Sequence, residues 1–499
     1  MTRTQEPTLL DPPASAAKRR KLFINNEWVD AASGKTFDAI APSTGKVITQ
    51  IAEGDAADID RAVAAARAAF DGPWAKFTPT QRERVMHQFA DKVEERWDEL
   101  VATDSYDMGF PIGFGSVVAG GYGPHDILRY FAGWPSKIKG ETLPNSAGED
   151  LFSYTRREPI GVVGAITPWN APRMGVVKMA PVLASGCTMV IKPSEVACLS
   201  SLIYEEIISE LDLPPGVINI VPGGGRTAGA ALAEHPGVNK LTFTGSTATG
   251  QSLVRASAGN LKRVTLELGG KSPDIIFADA DLDAAILTAG MGVFGNSGQM
   301  CTAGSRIFVE RSVYDEFVAR VAELGKMLKV GNSLDPTTTI GPIVSQRQLD
   351  RVSSYLEAGV DAGAEIVTGG SRISDGDLAG GYFIPPTVFA GVTDDMKIAR
   401  EEIFGPVASI MPFDDVDEVI RRANATSYGL VGGVWTRDIR KATAVSHALE
   451  CGVVWVNTYN TFDPGVPFGG HKMSGWGSEL SHHGLEGYLK VKAVWLNYA

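Results

Sequence analysis

The feature that most constrains the fold is an alternation of short apolar runs with helical segments, which begins near residue 160. The runs are rich in Val, Ile and Thr, and the stretches between them show helical periodicity. Continuous apolar strands separated by helices are typical of a parallel sheet with right-handed crossovers. The sequence therefore predicts a doubly wound α/β fold, whose ligands bind at the carboxyl ends of the strands. The predicted strands are 161–166, 188–191, 217–221, 240–244 and 264–268.

The second half of the chain repeats this alternation with different lengths, so a second α/β domain is predicted from about residue 270. Earlier helices are predicted over 58–70, which Asp58 could cap, over 79–104 and over 195–211. In the second half, strands are predicted at 306–310, 407–413, 433–438 and 452–457, and helices near 311–329 and 416–425.

Composition and charge exclude several classes of protein. Hydrophobic residues make up 44% and charged residues 21% of the 499 residues, which excludes bulk disorder. The formal net charge of −12 argues against a nucleic-acid partner, because phosphates would be repelled. No secretory signal and no apolar run of ~18 residues is found, so no membrane partner is predicted. Four cysteines without a CxxC pair favour a reduced, cytoplasmic setting.

One cysteine differs from the others in its surroundings. Cys301 lies in the glycine-rich loop 294–304, whereas Cys187 and Cys198 lie in apolar segments. Most lone cysteines are buried apolar side chains, but a thiolate at such a turn would be an activated nucleophile if its pKa were lowered. No histidine partner is evident, so a Cys–His hydrolase is not required.

Two polar side chains near predicted strand ends are further candidates. Glu267 lies in the apolar run LELGG, where desolvation should raise its pKa and suit it to general-base chemistry. A structural carboxylate paired with a cation is the alternative. Asn170 follows the strand 161–166 and could donate its amide to a developing oxyanion, or form an Asx-turn before Pro172.

Three further segments have the chemistry of a dinucleotide site. Glu195 follows Lys192 at a strand end and could accept hydrogen bonds from the hydroxyls of the adenosine ribose. Its negative charge would repel the 2′-phosphate of NADP, which favours NAD. A helix-capping pair is the alternative. The turn 243–250 opens a helix whose N-terminus suits a pyrophosphate, although it is not the GxGxxG fingerprint. The glycines 223–225 and Gly229 allow close approach of a cofactor, or only a tight turn.

These motifs, in this order, resemble the aldehyde dehydrogenase superfamily over roughly residues 22–499. The resemblance implies that Cys301 attacks the aldehyde carbon and that Asn170 and the Cys301 N–H hold the oxyanion. It also implies that Glu267 activates the water that hydrolyses the thioester. The matching motifs are TPWN (167–170), IKPSE (191–195), FTGS (243–246), LELGG (266–270), GQMC (298–301), EEIFGPV (401–407) and PFGGHKMSG (467–475).

The resemblance further implies an aldehyde substrate, NAD as cofactor and no metal. Lys178 and Glu479 match residues assigned to a proton relay. Cofactor contacts are implied for Ile166, Thr167, Trp169, Lys192, Ser194, Glu195, Gly225, Gly229, Phe243, Gly245, Ser246, Thr249, Leu268, Glu402 and Phe404.

The family fold implies a Rossmann-like cofactor domain, a catalytic domain and a small β oligomerisation segment. The tail 489–495 alternates in the manner of an edge strand that pairs with another subunit, so a homodimer or homotetramer is expected. The expected boundaries are a flexible tail at 1–20, a cofactor domain of 21–139 and 160–269, a catalytic domain of 270–480, and an oligomerisation segment of 140–159 and 481–499.

The chain departs from the family pattern beside the substrate tunnel. Seven residues separate Asn170 from Lys178, where eight are usual, and Val177 stands where a tryptophan is common. We therefore expect a roomier mouth that admits aromatic or long aliphatic aldehydes. Arg173, in the same stretch, could bind a substrate carboxylate, but a surface arginine is the expectation.

Two other interpretations compete with a hydrolytic NAD enzyme. One is a relative that acylates coenzyme A or prefers NADP, against which Glu267 and Glu195 respectively speak. The other is a binding protein that keeps the fold without turnover, against which the presence of Cys301 and Glu267 speaks.

Overall fold

The computed structural model describes residues 10–18, 20–114 and 122–499. The strands are β1 (Leu22–Ile24), β2 (Glu27–Val29), β3 (Thr36–Ala41), β4 (Lys46–Ala52), β5 (Thr142–Leu143), β6 (Leu151–Pro159), β7 (Val162–Ile166), β8 (Thr188–Lys192), β9 (Ile218–Ile220), β10 (Lys240–Thr244), β11 (Arg263–Glu267), β12 (Pro273–Ile276), β13 (Arg306–Glu310), β14 (Glu365–Thr368), β15 (Thr387–Ala390), β16 (Val407–Phe413), β17 (Tyr428–Gly429), β18 (Val431–Trp435), β19 (Val453–Val456), β20 (His471–Lys472), β21 (Gly475–Trp476) and β22 (Leu489–Asn497). The helices are α1 (Ala56–Asp71), α2 (Pro79–Glu95), α3 (Trp97–Asp107), α4 (Pro124–Ala132), α5 (Val176–Ser185), α6 (Leu199–Ser209), α7 (Ala230–Glu234), α8 (Thr247–Ser257), α9 (Leu282–Phe294), α10 (Tyr314–Met327), α11 (Gln346–Asp361), α12 (Lys397–Arg400), α13 (Val416–Asn424), α14 (Ile439–Ala448) and α15 (Ser481–Glu486).

Two large sheets organise these elements. The first has the order β2-β1-β9-β8-β7-β10-β11-β21, and its strands from β9 to β11 are parallel. The second has the order β14-β15-β16-β13-β12-β18-β19, and it is parallel from β15 to β19. The α/β prediction is thus confirmed. In the first sheet the strand order reverses between β7 and β10, and such a switch point leaves a crevice at the carboxyl ends of the strands.

A third sheet shares no strand with these two. Its order is β22-β6-β5, and β22 pairs antiparallel with β6 along the whole length of both strands. The side chains of Val491 and Trp495 on β22 are more than half exposed. The tail predicted at 489–495 therefore forms a strand with an apolar exposed face.

Two helices near the N-terminus differ from the predictions, each for a local reason. Asp55, rather than Asp58, caps α1: its side chain accepts the N–H of Ala57 at 3.0 Å, and Asp58 accepts the N–H of Asp55 at 3.2 Å. The predicted helix 79–104 is two helices, α2 and α3, because Arg96 leaves helical geometry at φ −106° and ψ 17°.

The helix predicted over 195–211 begins only at Leu199. Its first N–H group is capped from a different helix, since Oδ2 of Asp107 at the end of α3 accepts the N–H of Leu199 at 2.7 Å. A cap supplied by a remote segment leaves no local signal in the sequence.

Among the described residues, no helix is both long and apolar enough to cross a bilayer.

Candidate active site

The turn that carries Cys301 is held in an unusual backbone conformation. After α9, Asn296 and Ser297 have positive φ angles of 50° and 54°, and Gly298 follows at 69°. A Cβ atom on Gly298 would lie 2.0 Å from the carbonyl oxygen of Gly405, so only glycine fits there. A strained backbone of this kind persists only where the surrounding structure holds it in place. The turn sets the direction in which the chain continues from Gly298 to Cys301.

The side chain of Gln299 helps to hold this turn in place. Its Oε1 accepts the N–H of Val344 at 2.9 Å and its Nε2 donates to the carbonyl of Asn296 at 3.2 Å. On the other side of the turn, the hydroxyl of Tyr459 donates to the carbonyl of Thr302 at 2.9 Å. The role of Gln299 was missed in the sequence, where its proximity to Cys301 is the only signal.

The structure brings Asn170 to the Cys301 turn. Nδ2 of Asn170, in the loop after β7, donates to the carbonyl of Gln299 at 2.9 Å. An amide nitrogen has a second N–H, and Asn170 and Cys301 line the same cavity. The amide is thus oriented by the loop that carries the thiol.

Glu267 is a buried carboxyl group at the end of β11. It is 3% exposed, and neither carboxyl oxygen has a hydrogen-bond partner among the described residues. Burial raises its pKa well above the usual value; the charge of Glu479 raises it further and that of Lys178 opposes this. In its ionised form, a carboxyl group without a partner and with a raised pKa is a stronger proton acceptor than an ordinary carboxylate.

Lys178 and Glu479, which the family resemblance implies as a proton relay, lie next to each other in the structure. Nζ of Lys178, on α5, donates to Oε1 of Glu479 and also to Oγ1 of Thr242 at 3.1 Å. Both partners of this ion pair are largely buried. The charges of both residues act on Glu267, so the three buried groups are electrostatically linked.

The pKa of the Cys301 thiol is not lowered. Burial, followed by the charges of Glu267 and Glu402, raises it to about 12. The sequence suggested activation from the loop environment, but the fold places two carboxylates near the sulfur. The thiol is therefore protonated at neutral pH unless a bound group or a proton acceptor changes the balance.

Cys301 opens onto a cavity of about 680 Å³. Arg173 also lines it, but it is 6% exposed, so the expectation of a surface arginine is wrong. The short helical turn Pro172–Gly175 directs its side chain inward, where Nη1 donates to Oδ2 of Asp104 at 2.6 Å. Apolar lining residues include Phe110, Phe114, Met174, Val177, Met291, Phe462 and Leu480.

Lys192 and Glu195 meet at the end of β8. Nζ of Lys192 donates to Oε2 of Glu195 at 2.8 Å and to the carbonyl of Gly223 at 2.9 Å. The N–H of Gly225 donates to Oε1 of Glu195 at 3.1 Å. Across the crevice, Ser246 caps α8 by accepting the N–H of Thr249 at 3.3 Å.

A second carboxylate lies at the other end of this crevice. Oε1 of Glu402 accepts the N–H of Gly270 at 3.0 Å, and a Cβ on Gly269 would lie 2.4 Å from Oε2 of Glu402. The ring of Phe404 contacts that of Trp169 edge-on, with centroids 5.2 Å apart.

These residues fit a dinucleotide. Two carboxylates suited to ribose hydroxyls flank a helix N-terminus suited to a diphosphate. The remaining predicted contacts lie on the same strands or on segments next to them: Ile166 and Thr167 at the end of β7, Ser194 after β8, Gly229 before α7, Phe243 and Gly245 at the end of β10, and Leu268 after β11.

Comparison with known proteins places the chain among enzymes. The model of the Aldehyde dehydrogenase family matches residues 28–494. An aldehyde dehydrogenase of Enchytraeus buchholzi is 50% identical over 480 residues, 95% of either chain, and human retinaldehyde dehydrogenase 3 is 49% identical over 96% of this chain and 93% of its own. The NAD+ complex of an aldehyde dehydrogenase from Bacillus cereus has a TM-score of 0.95 at 45% identity, covering 99% of this chain and 100% of that chain.

Proposed function

The chain belongs to the aldehyde dehydrogenase family and is an NAD-dependent enzyme, and we propose that it oxidises its aldehyde through a thioester on Cys301 that water hydrolyses. The arrangement of three side chains carries this proposal. Cys301 shares a large cavity with the Asn170 amide, and Glu267, a carboxyl group with no hydrogen-bond partner in the described part of the chain, acts electrostatically on the sulfur.

The first step is attack of the Cys301 sulfur on the carbonyl carbon. The C–S bond forms as the carbonyl electron pair moves to oxygen, and that oxygen accepts from Asn170 and from the Cys301 N–H. Because burial holds the thiol protonated, its proton must leave during attack. The proposed acceptor of this proton is the ionised form of Glu267, whose charge acts on the sulfur, and the Lys178–Glu479 pair, whose charges act on Glu267, then takes the proton on.

When bound, NAD would supply the two-electron oxidant: the C–H bond of the tetrahedral carbon would break with loss of hydride to the cofactor, the oxyanion would re-form the carbonyl, and the thioester on Cys301 would remain. Lys192 orients Glu195, and we propose that Glu195 holds the adenosine ribose. The turn at Ser246, which caps a helix N-terminus, would hold the diphosphate. Glu402 would hold the nicotinamide ribose from the other end of the crevice.

Hydrolysis of the thioester is assigned to Glu267. Its ionised form takes a proton from water, the hydroxide oxygen bonds to the acyl carbon, and the C–S bond breaks to release a carboxylic acid. The buried Lys178–Glu479 pair then carries the proton away from Glu267. The presence of this base favours hydrolysis over transfer to coenzyme A.

The cavity supports a bulky, largely apolar aldehyde as substrate. Its volume of about 680 Å³ exceeds what a two-carbon aldehyde fills, and aromatic and aliphatic side chains dominate its wall. Val177 lines it at a position where the family commonly has a larger residue. A preference for acetaldehyde over longer aldehydes would contradict this substrate class.

The setting and assembly complete the proposal. Four free cysteines suit a reducing, cytoplasmic compartment. The apolar face of β22 suits pairing with a second subunit, so we propose a homodimer or homotetramer. The division into a cofactor domain, a catalytic domain and an oligomerisation segment follows the boundaries expected above.

An aldehyde panel with NAD tests the reaction. Reduced cofactor, read by its absorbance, should accumulate with wild type and not with Cys301→Ala. Cys451→Ala is the matched control, because Cys451 contacts the carbonyl of Val453 outside the cavity and should leave the rate unchanged. Turnover that survives Cys301→Ala would overturn the nucleophile assignment.

A further inference from the structure

The cavity that Cys301 opens onto contains one feature that the oxidation chemistry does not use. Arg173 is a buried cation in the wall, and Asp104 is its ion-pair partner. No other Lys or Arg lines the cavity among the described residues. Burial of a guanidinium in an apolar wall is costly, so its retention calls for a function or a full set of partners.

That set of partners is incomplete. Nη1 donates to Asp104 at 2.6 Å, but Nε is enclosed without a hydrogen-bond partner and Nη2 has none among the described residues. A guanidinium presents its N–H groups in a fork that can serve two carboxylates at once. Arg173 therefore keeps donors that Asp104 does not satisfy.

The surroundings hold the guanidinium in a fixed place. Its Cζ lies 4.9 Å from the centroid of Phe110 and 5.5 Å from that of Trp97. Asp104 is held in turn by the hydroxyl of Ser200, and the Arg173 carbonyl accepts from Tyr204. Because the guanidinium is already fixed, its side chain loses little conformational entropy when a ligand binds to it.

We infer that Arg173 is a specificity-determining residue that binds a carboxylate at the far end of the substrate, which makes aldehydes bearing a second, acidic terminus a substrate class of this enzyme. The inference rests on the proposed oxidation at Cys301. The apolar wall contacts the chain between the two ends, and the aldehyde reaches the sulfur while the carboxylate reaches Arg173.

Two matched series of substrates test it. One series is HOOC–(CH₂)n–CHO, and the other is the methyl-terminated aldehyde of the same length. The number n is varied in both series, because the chain length that spans the cavity should give the highest kcat/KM. At that length, wild type should use the carboxylate aldehyde at least as well as the methyl one by kcat/KM. Arg173→Met should lower kcat/KM for the carboxylate series about 10- to 100-fold and leave the methyl series within about twofold.

Asp104→Asn/Arg173→Met is the second variant, since it removes both charges and leaves no unpaired buried carboxylate. It should show the same selective loss. If neither variant folds, inhibition of wild type decides: dicarboxylates should inhibit at least as strongly as monocarboxylates of equal length, and weaker inhibition at every length overturns the inference.

The outcomes separate the two proposals. Wild type that oxidises the methyl series but discriminates against the carboxylate at every length overturns the role of Arg173 and leaves the reaction intact. Equal losses on both series in Arg173→Met also overturn it, because they indicate a structural wall residue. Oxidation of neither series overturns the proposed function and the inference with it.

Discussion

Nζ of Lys192 lies 2.8 Å from Oε2 of Glu195, and the N–H of Gly225 occupies the other carboxylate oxygen at 3.1 Å. Burial alone would raise the pKa of Glu195, but the Lys192 charge and these hydrogen bonds hold it below its usual value. The carboxylate is therefore ionised at neutral pH and fixed at the end of β8. An anion fixed there repels the extra phosphate of NADP if the adenosine ribose binds beside it.

Neutralising this carboxylate should change the cofactor preference. Glu195→Gln keeps an acceptor for Gly225 but removes the charge, so the ratio of kcat/KM for NADP to that for NAD should rise about 10- to 100-fold. Steady-state kinetics with each cofactor measure the ratio. Glu53→Gln is the control, since Glu53 borders the same glycine loop without contacting Lys192; a ratio that moves equally in both variants contradicts the role of Glu195.

The charges beside Glu267 predict two pH shifts of opposite sign. The pKa of Glu267 is raised by burial and then by Glu479, and Lys178 lowers it. Glu479→Gln removes an anion, so the pKa of Glu267 should fall and the acid limb of thioester hydrolysis should move to lower pH. Lys178→Met removes a cation and should move the same limb to higher pH.

Single-turnover measurements with a pre-formed acyl-enzyme read this limb without the oxidation step. Both variants should also slow the limiting rate, by about 10-fold or more, because the proton leaves Glu267 less readily. Limbs that move in the same direction, or that stay at the wild-type pH, would refute the electrostatic coupling of the three groups.

Asp274 should make the folded state less stable as the pH rises. Burial raises its pKa to about 7 despite the hydrogen bond from Trp435 Nε1 at 3.0 Å. A carboxyl group whose pKa is raised in the folded state contributes stability below its unfolded pKa near 4, and loses that contribution as the pH rises through about 7. The loss amounts to at most about 1.4 kcal/mol per pH unit in this window.

Asp274→Asn cannot ionise, so it should lack this pH dependence. Thermal unfolding of both proteins between about pH 5 and pH 8 gives the difference in Tm, which should shift in favour of the variant as the pH rises. Parallel Tm curves across this window would show that Asp274 titrates in the folded protein as it does in the unfolded one.

The parts of the fold that were predicted well are those with local signals. The strands Lys240–Thr244, Arg306–Glu310 and Val407–Phe413 agree residue for residue with the predictions, because apolar and β-branched residues predominate in each segment. The start of α6 was not, since its cap is Asp107 on another helix. Boundaries set by remote contacts have no local signal.

The candidate site divides in the same way. Cys301 and Glu267 could be picked out by residue type and by glycines beside them, and the fold then brought them within reach of each other's charge. The raised pKa of the Cys301 thiol and the burial of Arg173 could not be foreseen. Both depend on which side chains from distant segments surround them, and for Arg173 that is Asp104.

The exposed face of β22 gives the last prediction. Val491 and Trp495 are four residues apart on one strand, so they lie on the same face, and they are 55% and 54% exposed. An apolar face of this kind favours association with another subunit. Val491→Lys/Trp495→Lys should therefore lower the molar mass measured by light scattering toward that of one chain, while Leu261→Lys, an isolated exposed leucine, should not. If the double variant keeps the wild-type mass, the subunits assemble through another surface.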